Sequence, residues 1–210
     1  MPVNISASLA GFLAQSRWDD VPQAVRREAK RALLDVSGCL VAGLRQPETK
    51  KLAGCDPALL YGFAANILDF DDTHLRTVIH STTPVGAALF ALAQKSRVSG
   101  QQLLHAFVLG IETSCRIGNA VSPGHYEKGW HITSTCGVFG AAASAGKALG
   151  LNPEQTLSAL GLAATQALGV VFDGVARHTP EGHDFVRKAG ADGFKEAVRD
   201  RDEPFGDFGL

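Results

Sequence analysis

The sequence predicts an all-α protein, a helical bundle built around one central helix of small residues. Two helix starts are visible as capping patterns: Ser99 with Gln102, and Asn152 followed by Pro153 and Gln155. Apolar residues recur at helical spacing in the segments that follow such starts. Sustained alternation of apolar and polar residues, which is typical of strands, is absent from the sequence.

Length and composition are those of an ordinary globular domain. The chain has 210 residues, of which 45% are hydrophobic and 20% are charged, enough for one domain with a sizeable core. The formal net charge of -1 gives no basic surface for nucleic acid or for an anionic membrane. No stretch approaches the roughly 20 apolar residues of a membrane span. We therefore expect neither nucleic acid nor a membrane as partner.

The cysteines and the N-terminus indicate a cytoplasmic protein. Four cysteines are scattered without paired spacing, which favours reduced thiols over a disulfide or zinc framework; they are Cys39, Cys55, Cys115 and Cys136. The first sixteen residues lack a basic region followed by a continuous apolar segment, so no signal peptide is expected.

Two helices are predicted near the N-terminus. Apolar residues at helical spacing give a short first helix over about residues 5–13. Asp20 is expected to cap the second helix, with Pro22 in its first turn. Its apolar stripe is expected to be buried and consists of Val25, Ala29, Ala32, Leu33, Val36, Leu40 and Val41. Its basic residues are expected to face mostly outward, namely Arg26, Arg27, Lys30 and Arg31.

Four more helix starts follow along the chain. A third helix is expected to begin near Pro57, after a turn through residues 43–54. The Thr83-Pro84 pair predicts the next start, as a cap followed by proline. The helix that opens at Ser99 is expected to run to about Ile117, and another opens at Asn152.

The helix after Trp130 is unusual because residues 137–146 are almost all glycine, alanine or serine. Each glycine costs about 1 kcal/mol against alanine in a helix interior. A helix that accepts this cost is usually buried on several sides, so we expect it at the centre of the bundle. Its N-terminal end, with free amides and a positive dipole, predicts an anion site that includes His131 and Thr133.

Residues 68–74, which read LDFDDTH, carry the strongest chemical pattern together with His80. Three carboxylates, a hydroxyl and two imidazoles lie within thirteen positions, between two predicted helices. Acid/base chemistry near neutral pH needs histidines and carboxylates in mutual reach. The same residue types also stop and start helices. From the residues alone, a catalytic loop and a solvated turn both remain open.

Three segments together resemble a known family. Residues 68–74 with His80, residues 129–137 (GWHITSTCG) and residues 163–167 (AATQA) are similar, in this order, to the helical domain of the MmgE/PrpD family. This family includes 2-methylcitrate dehydratase, cis-aconitate decarboxylase and an iminodisuccinate epimerase. The resemblance implies a helical domain joined to a smaller α+β domain, a homodimer, and chemistry on small carboxylates without a metal or an organic cofactor.

The resemblance also implies roles for individual residues. Asp69, Thr73, His80 and His131 match active-site positions of the family. His80 and His131 are then the proton carriers, and Asp69 holds an imidazole in one tautomer. Thr73 is expected to hydrogen-bond a substrate carboxylate.

The sequence departs from the family pattern in three places. The connection between the second helix and residue 59 is short, and Ser81 replaces the proline that usually follows the motif histidine. Arg177 lies near the position of a lysine that in the family is suited to binding a substrate carboxylate. Arg177 is therefore the candidate substrate-binding cation, although arginine and lysine are not interchangeable in such a role.

The expected domain organisation is a helical domain over residues 1–178 and a divergent tail over residues 179–210, with one short helix near residues 184–198. The family's second α+β domain is expected to be absent, as in a truncated paralogue or one half of a split enzyme. The predicted function is a lyase of the 2-methylcitrate dehydratase type that acts on a small di- or tricarboxylate. The alternative is a non-catalytic helical module that forms a homo-oligomer or binds a partner subunit.

Overall fold

A computed structural model describes residues 4–167 of the chain. Over this range the chain forms nine α-helices and no strand, so the predicted all-α class is confirmed. The helices are α1 (Ile5–Gln15), α2 (Gln23–Gly43), α3 (Pro47–Lys50), α4 (Pro57–Asn66), α5 (Thr82–Lys95), α6 (Gly100–Val121), α7 (Gly124–Glu127), α8 (Ile132–Ala148) and α9 (Pro153–Thr165). A short 3-10 helix, Trp18–Asp20, precedes α2. Within the same range no helix has both the length and the apolarity to cross a membrane.

The helix starts predicted at Ser99, at Asn152 and at Pro57 are confirmed. The Ser99 hydroxyl accepts from the Gln102 amide at 3.2 Å, and the Gln102 side chain accepts from the Ser99 amide at 2.9 Å. Asn152 and Gln155 form the same reciprocal pair at the start of α9. The helix α4 begins at Pro57 as predicted. Such side-chain acceptors satisfy amides that have no partner within the helix.

Two predicted boundaries were displaced. We expected α6 to end near Ile117, but it continues to Val121. We expected Thr83 to cap α5, but this helix begins at Thr82. Thr83 is already inside the first turn, and its hydroxyl donates to the Asp71 carboxylate. A tertiary contact has therefore taken the hydroxyl that the sequence assigned to a local cap.

The entry into α2 also differs from the prediction. Asp20 does not cap α2, because its carboxylate accepts from the Arg17 amide at 3.0 Å and closes the 3-10 helix instead. The residue that precedes α2 is Pro22. Arg26 does not point simply outward: its guanidinium lies 4.6 Å from the centre of the Trp18 ring and donates to backbone carbonyls. This cation–π contact and these hydrogen bonds tie the 3-10 helix to α2.

The buried face of α2 is narrower than predicted. Ala29 and Val36 are buried, and Gly43 continues the same face one heptad further on. A Cβ placed on Gly43 would lie 1.7 Å from the carbonyl oxygen of Ala64, so α2 and α4 touch backbone to backbone there. Val41, predicted to be buried, is 55% exposed. Five residues after Val36, it lies ~140° away around the helix axis.

Helix α8 is the central helix, as predicted from its small residues. It packs against α5, α6, α9 and α1. A Cβ on Gly140 would lie 2.6 Å from the carbonyl oxygen of Gly110 in α6, and a Cβ on Gly137 would lie 2.7 Å from Pro84 in α5. Because glycine has no Cβ, the backbones can approach to a distance that no other residue permits.

Two apolar clusters fill the space on either side of the central contacts. The first joins α2, α4, α5 and α6 and includes Val36, Ala65, Val85, Leu89 and Phe107. The second joins α1, α6, α8 and α9 and includes Leu13, Leu109, Phe139, Ala143 and Leu160. Burial of these side chains is the main source of stability in the bundle.

A polar clamp, formed by Lys147 and His105, attaches the C-terminus of α1 to the bundle. The Lys147 ammonium donates to the backbone carbonyls of Leu13, Ala14 and Ser16 at 3.0, 3.1 and 2.5 Å. Carbonyls at the C-terminal end of a helix have no amide partner within that helix. His105 is buried, and its Nε2 lies 3.0 Å from the Ser16 hydroxyl. Burial and the charge of Lys147 lower the pKa of His105 to about 4, so this ring is neutral at physiological pH.

The close contact at Gly140 predicts an unequal response to alanine. Gly140→Ala should lower the free energy of unfolding by about 1–3 kcal/mol, because the added methyl group overlaps the Gly110 carbonyl. Gly38→Ala in α2 is the matched control, since a Cβ there meets no atom within 4 Å. It should raise stability by up to about 1 kcal/mol. Urea unfolding followed by circular dichroism measures both, and equal effects would contradict the proposed packing.

Candidate active site

The candidate site is built on the loop between α4 and α5, residues 67–81, which we call the site loop. Ile79 anchors this loop because its side chain is fully buried and packs with Ile132 and Cys136 of α8. Asp69 and Val78 have positive φ angles of 55° and 53°. This region is unfavourable for a β-branched residue such as Val78, so surrounding contacts must hold the loop in this conformation.

Asp72 starts helix α5. Its Oδ1 accepts from the Thr82 amide at 3.1 Å and from the Thr82 hydroxyl, and its Oδ2 lies 3.5 Å from the Ser81 hydroxyl. Burial raises the pKa of Asp72, although the Thr82 hydrogen bonds act in the opposite direction. The helix-start interpretation of the acidic run is therefore correct for this carboxylate.

Asp71 turns inward, toward His80. Its side chain is fully buried, and Oδ1 lies 3.4 Å from Nδ1 of His80. Asn66 donates to both carboxylate oxygens at 3.2 and 3.4 Å, and the Thr83 hydroxyl donates to Oδ2. Asp71 is not among the site residues that the sequence predicts. The acidic run shows that carboxylates cluster here, but it does not show which one faces the interior.

Asp69 and Thr73 lie at the outer side of the site loop. Asp69 is 83% exposed at its side chain, and its Oδ1 lies 3.8 Å from Nε2 of His80. Thr73 is exposed as well. The His80 ring thus has one carboxylate near each nitrogen, with Asp71 on the buried side and Asp69 on the solvent side. The His80 side chain itself is 21% exposed.

His131 lies at the start of α8, where it is the N-cap residue. Its Nδ1 accepts from the Ser134 amide at 3.2 Å and lies 2.5 Å from the Ser134 hydroxyl. An Nδ1 that accepts leaves the proton of the neutral ring on Nε2, an assignment that rests on the hydrogen-bond network. Burial and the charge of His80 lower the pKa of His131.

Thr133 connects the site loop to α8. Its hydroxyl oxygen accepts a hydrogen bond of 3.1 Å from the backbone amide of His80. The expected substrate-binding hydroxyl therefore already holds the loop, while its own proton can be donated to an anion. This bond joins the C-terminal part of the site loop, which carries His80, to the first turn of α8. His131 is the N-cap residue of the same helix, so two histidines that are far apart in sequence lie on segments in contact.

His125 and Trp130 support the segment before α8, and our sequence analysis did not select either residue. Their rings are stacked with centroids 5.6 Å apart. The His125 Nε2 lies 2.6 Å from the Thr135 hydroxyl, and burial followed by the charge of Lys128 lowers the pKa of His125. These contacts orient the chain that enters α8 at His131.

Asp69, Asp71 and His80 also have the spacing of a metal-ligand group, since one ligand atom from each lies within 4.8 Å of the others. However, both Asp71 oxygens already accept from Asn66 and Thr83.

Arg177, the predicted substrate-binding cation, and the predicted tail helix lie outside the described residues. In the described part, Arg76 and Lys128 are exposed cations on the site loop and just before α8.

The charge of His80, which after burial is the second cause of the lowered His131 pKa, predicts a titration effect. The pKa of His131 should rise toward 6.5, the ordinary value, when His80→Gln removes the positive charge that now opposes protonation of His131. NMR titration of the imidazole protons measures this shift. His125 is the internal control, because its lowered pKa arises from burial and Lys128 and should not change. An unaltered titration of His131 would show that the two rings are not neighbours.

Comparison with known proteins places the chain in a family. A sequence model of the MmgE/PrpD N-terminal domain matches residues 7–57 and 55–181. A cis-aconitate decarboxylase-like protein of Aspergillus oryzae is 31% identical over 89% of this chain and 45% of its own length. Cis-aconitate decarboxylase of Aspergillus terreus is 29% identical, over 85% of this chain and 43% of that protein. The human cis-aconitate decarboxylase is 34% identical, over 72% of this chain and 34% of that protein.

The chain therefore spans less than half the length of these curated relatives. The family match covers both segments that contain the candidate site, the site loop and the start of α8. The chain belongs to the MmgE/PrpD family and carries its N-terminal domain.

Proposed function

We propose that this domain provides the acid/base site of a cofactor-independent lyase for small di- or tricarboxylates. The observation that carries the proposal is the hydrogen bond from the His80 amide to the Thr133 hydroxyl. This bond brings His80 to the N-terminal end of α8, where His131 is the N-cap residue. Two imidazoles at one site can serve as a base and an acid. The relatives named as cis-aconitate decarboxylases support chemistry on a carboxylate substrate.

The two histidines have different environments, and this difference suggests a division of roles. His131 accepts through Nδ1, so its neutral ring offers Nε2–H as a hydrogen-bond donor to a substrate. His80 has a buried carboxylate beside Nδ1 and a solvent-exposed one near Nε2, which favours proton uptake at Nε2. Groups whose environments differ in this way are typical of an acid and base pair.

His80 and His131 can serve either of two reactions, decarboxylation or dehydration of a small carboxylate. Decarboxylation of cis-aconitate breaks the bond from carbon to one carboxylate, releases CO2, shifts the electron pair through the double bond and adds one proton to carbon. Dehydration of 2-methylcitrate removes a proton from carbon and protonates the hydroxyl group that leaves as water. Both reactions use one proton transfer at carbon. Because several relatives are named for cis-aconitate, we place this substrate first and the 2-methylcitrate dehydratase type second.

Substrate carboxylates would be held by hydroxyls, amides and a cation. Thr73 and Thr133 supply hydroxyls, and the start of α8 supplies backbone amides. Arg177 is proposed as the cation. A substrate with three negative charges needs such partners because an unpaired buried carboxylate costs several kcal/mol. With Asp69, Asp71 and Asp72 adding negative charge, we expect slow turnover by this chain alone.

The proposal predicts measurable but slow turnover of at least one of four carboxylates: cis-aconitate, 2-methylcitrate, citrate and iminodisuccinate. His80→Ala and His131→Ala should each lower the rate by about 10²–10⁴-fold, because each removes a proton carrier. Dialysis against EDTA should leave the rate unchanged. CO2 release and alkene absorbance follow decarboxylation and dehydration.

Thr113→Val is the matched control for these variants. Thr113 is buried in α6, and its hydroxyl donates to the carbonyl of Leu109 in the same helix. Its replacement should leave turnover unchanged. Absence of turnover on all four substrates, or turnover that survives both histidine replacements, would contradict the lyase proposal.

A second candidate function is that of a helical module that associates with another subunit or with a second copy. Exposed apolar side chains on two helices that pack together favour it. They are Leu34 and Val41 on α2, exposed by 76% and 55%, and Leu59 and Phe63 on α4, exposed by 56% and 41%. Exposed apolar side chains on neighbouring helices are what an interaction surface requires.

Association predicts an oligomer at micromolar concentration in sedimentation velocity. Leu34→Lys together with Leu59→Lys should shift the chain to monomer, because each lysine would have to be desolvated in the interface. Leu162→Lys is the control, since Leu162 is 70% exposed on α9. A monomeric wild-type chain, or dissociation caused by Leu162→Lys alone, would contradict association through α2 and α4.

A further inference from the structure

The buried side of the His80 ring has a partner that the family resemblance did not point to. Asp71 Oδ1 lies 3.4 Å from Nδ1 of His80, and the Asp71 side chain is fully buried. We propose that Asp71, rather than Asp69, is the positioning residue that fixes the orientation and tautomer of His80. This inference rests on the proposed function only for its catalytic consequence. The placement of the ring is argued from geometry.

Asp71 is held from two helices. Asn66, the last residue of α4, donates to both carboxylate oxygens. Thr83, in the first turn of α5, donates its hydroxyl to Oδ2. The carboxylate therefore links the end of one helix to the start of the next across the site loop. A group fixed in this way can hold another side chain in place, as an orienting residue requires.

The two carboxylates near His80 differ in their environments. The Asp69 side chain is 83% exposed and its nearest oxygen lies 3.8 Å from Nε2. Water and salt screen an exposed charge, so it orients a ring weakly. Asp71 has no exposed side-chain surface and lies closer to the ring. The dielectric constant around the buried Asp71 carboxylate is lower than in water, so its electrostatic interaction with the imidazole is stronger.

The His80 Nδ1 atom gives an independent reason. It is buried and makes no hydrogen bond with the described residues, because the approach to Asp71 at 3.4 Å is not in line. A buried N–H group without an acceptor is unfavourable. A small rotation of the ring would bring Nδ1–H into line with Asp71 Oδ1, and such bonds often tighten only when substrate is bound.

The chemical consequence is a fixed direction of proton transfer. With Asp71 accepting from Nδ1–H, neutral His80 has its lone pair on Nε2, on the side where Asp69 and solvent lie. A proton that His80 takes from a substrate carbon, as in dehydration, or gives to one, as in decarboxylation, moves through Nε2, and Asp71 stabilises the imidazolium form. His131 has the opposite tautomer, since its Nδ1 accepts from the Ser134 amide. The neutral His80 ring thus accepts at Nε2, while the neutral His131 ring offers a hydrogen bond from its Nε2–H.

The tautomer of His80 tests the inference without any need for turnover. Long-range proton–nitrogen NMR on the full, nitrogen-15-labelled chain, at alkaline pH where histidine side chains are neutral, shows which ring nitrogen carries the proton. The wild-type chain should show Nδ1–H for His80. Asp71→Asn should move the proton partly or wholly to Nε2, whereas Asp69→Asn should leave it on Nδ1.

A second pair of variants avoids replacing the buried carboxylate itself. Thr83→Val removes the hydroxyl that holds Asp71 and should reduce the Nδ1–H population, while Thr83→Ser keeps the hydroxyl and should restore it. Thr113→Val, at a buried hydroxyl that bonds within α6, is the control and should have no effect. If Asp71→Asn does not fold, the Thr83 pair still decides. An Nε2–H tautomer in the wild-type chain would overturn the inference, as would a response to Asp69→Asn instead of Asp71→Asn.

Turnover measurements test the catalytic consequence of this inference. In a carboxylate assay, Asp71→Asn and Thr83→Val should lower kcat by roughly 10²-fold, the scale expected for a misplaced catalytic group, with KM changed less than about twofold. Thr83→Ser should recover kcat. A rise in KM with unchanged kcat would assign Asp71 to substrate binding and overturn a positioning role. Absence of turnover in the wild-type chain would count against the lyase proposal, whereas the tautomer result would still decide this inference.

Discussion

Helices α6 and α8 touch backbone to backbone at Gly110 and Gly140 because neither residue has a Cβ. Gly137 likewise lets α8 pack closely on the Pro84 ring of α5. Together these close contacts fix the position of α8 in the bundle. The first residues of α8 contact the loop that leads into α5. The proposed acid/base site therefore depends on a constraint in the bundle centre: a bulkier residue at Gly140 would displace His131 relative to His80.

Three neighbouring carboxylates illustrate how burial divides one sequence motif into separate tasks. Asp72 supplies the acceptor that starts α5, Asp71 faces His80 from the interior, and Asp69 lies in solvent. The division follows from the donors that each one meets, namely the Thr82 amide, the Asn66 side chain and water. The helix-start role of this residue type thus applies to Asp72, while the catalytic-loop interpretation of the same run stays a prediction.

Local rules predicted the fold because the information is local. The reciprocal pairs of Ser99 with Gln102 and Asn152 with Gln155 need only four consecutive residues, and small residues throughout α8 indicate close packing whatever the partner is. One error arose where a tertiary contact replaced a local one: Thr83 donates to Asp71 instead of capping α5. The inward turn of Asp71 likewise depends on Asn66 and Thr83, which only the folded chain brings together.

The central claim is that His80 and His131 act on one substrate from adjacent positions. A crystal structure of the chain with bound cis-aconitate tests it most directly. The account predicts that the ligand lies between Nε2 of His80 and Nε2 of His131, with Asp71 Oδ1 within hydrogen-bond distance of His80 Nδ1. Imidazoles on opposite faces of the bundle, or a ligand bound away from both rings, would contradict it.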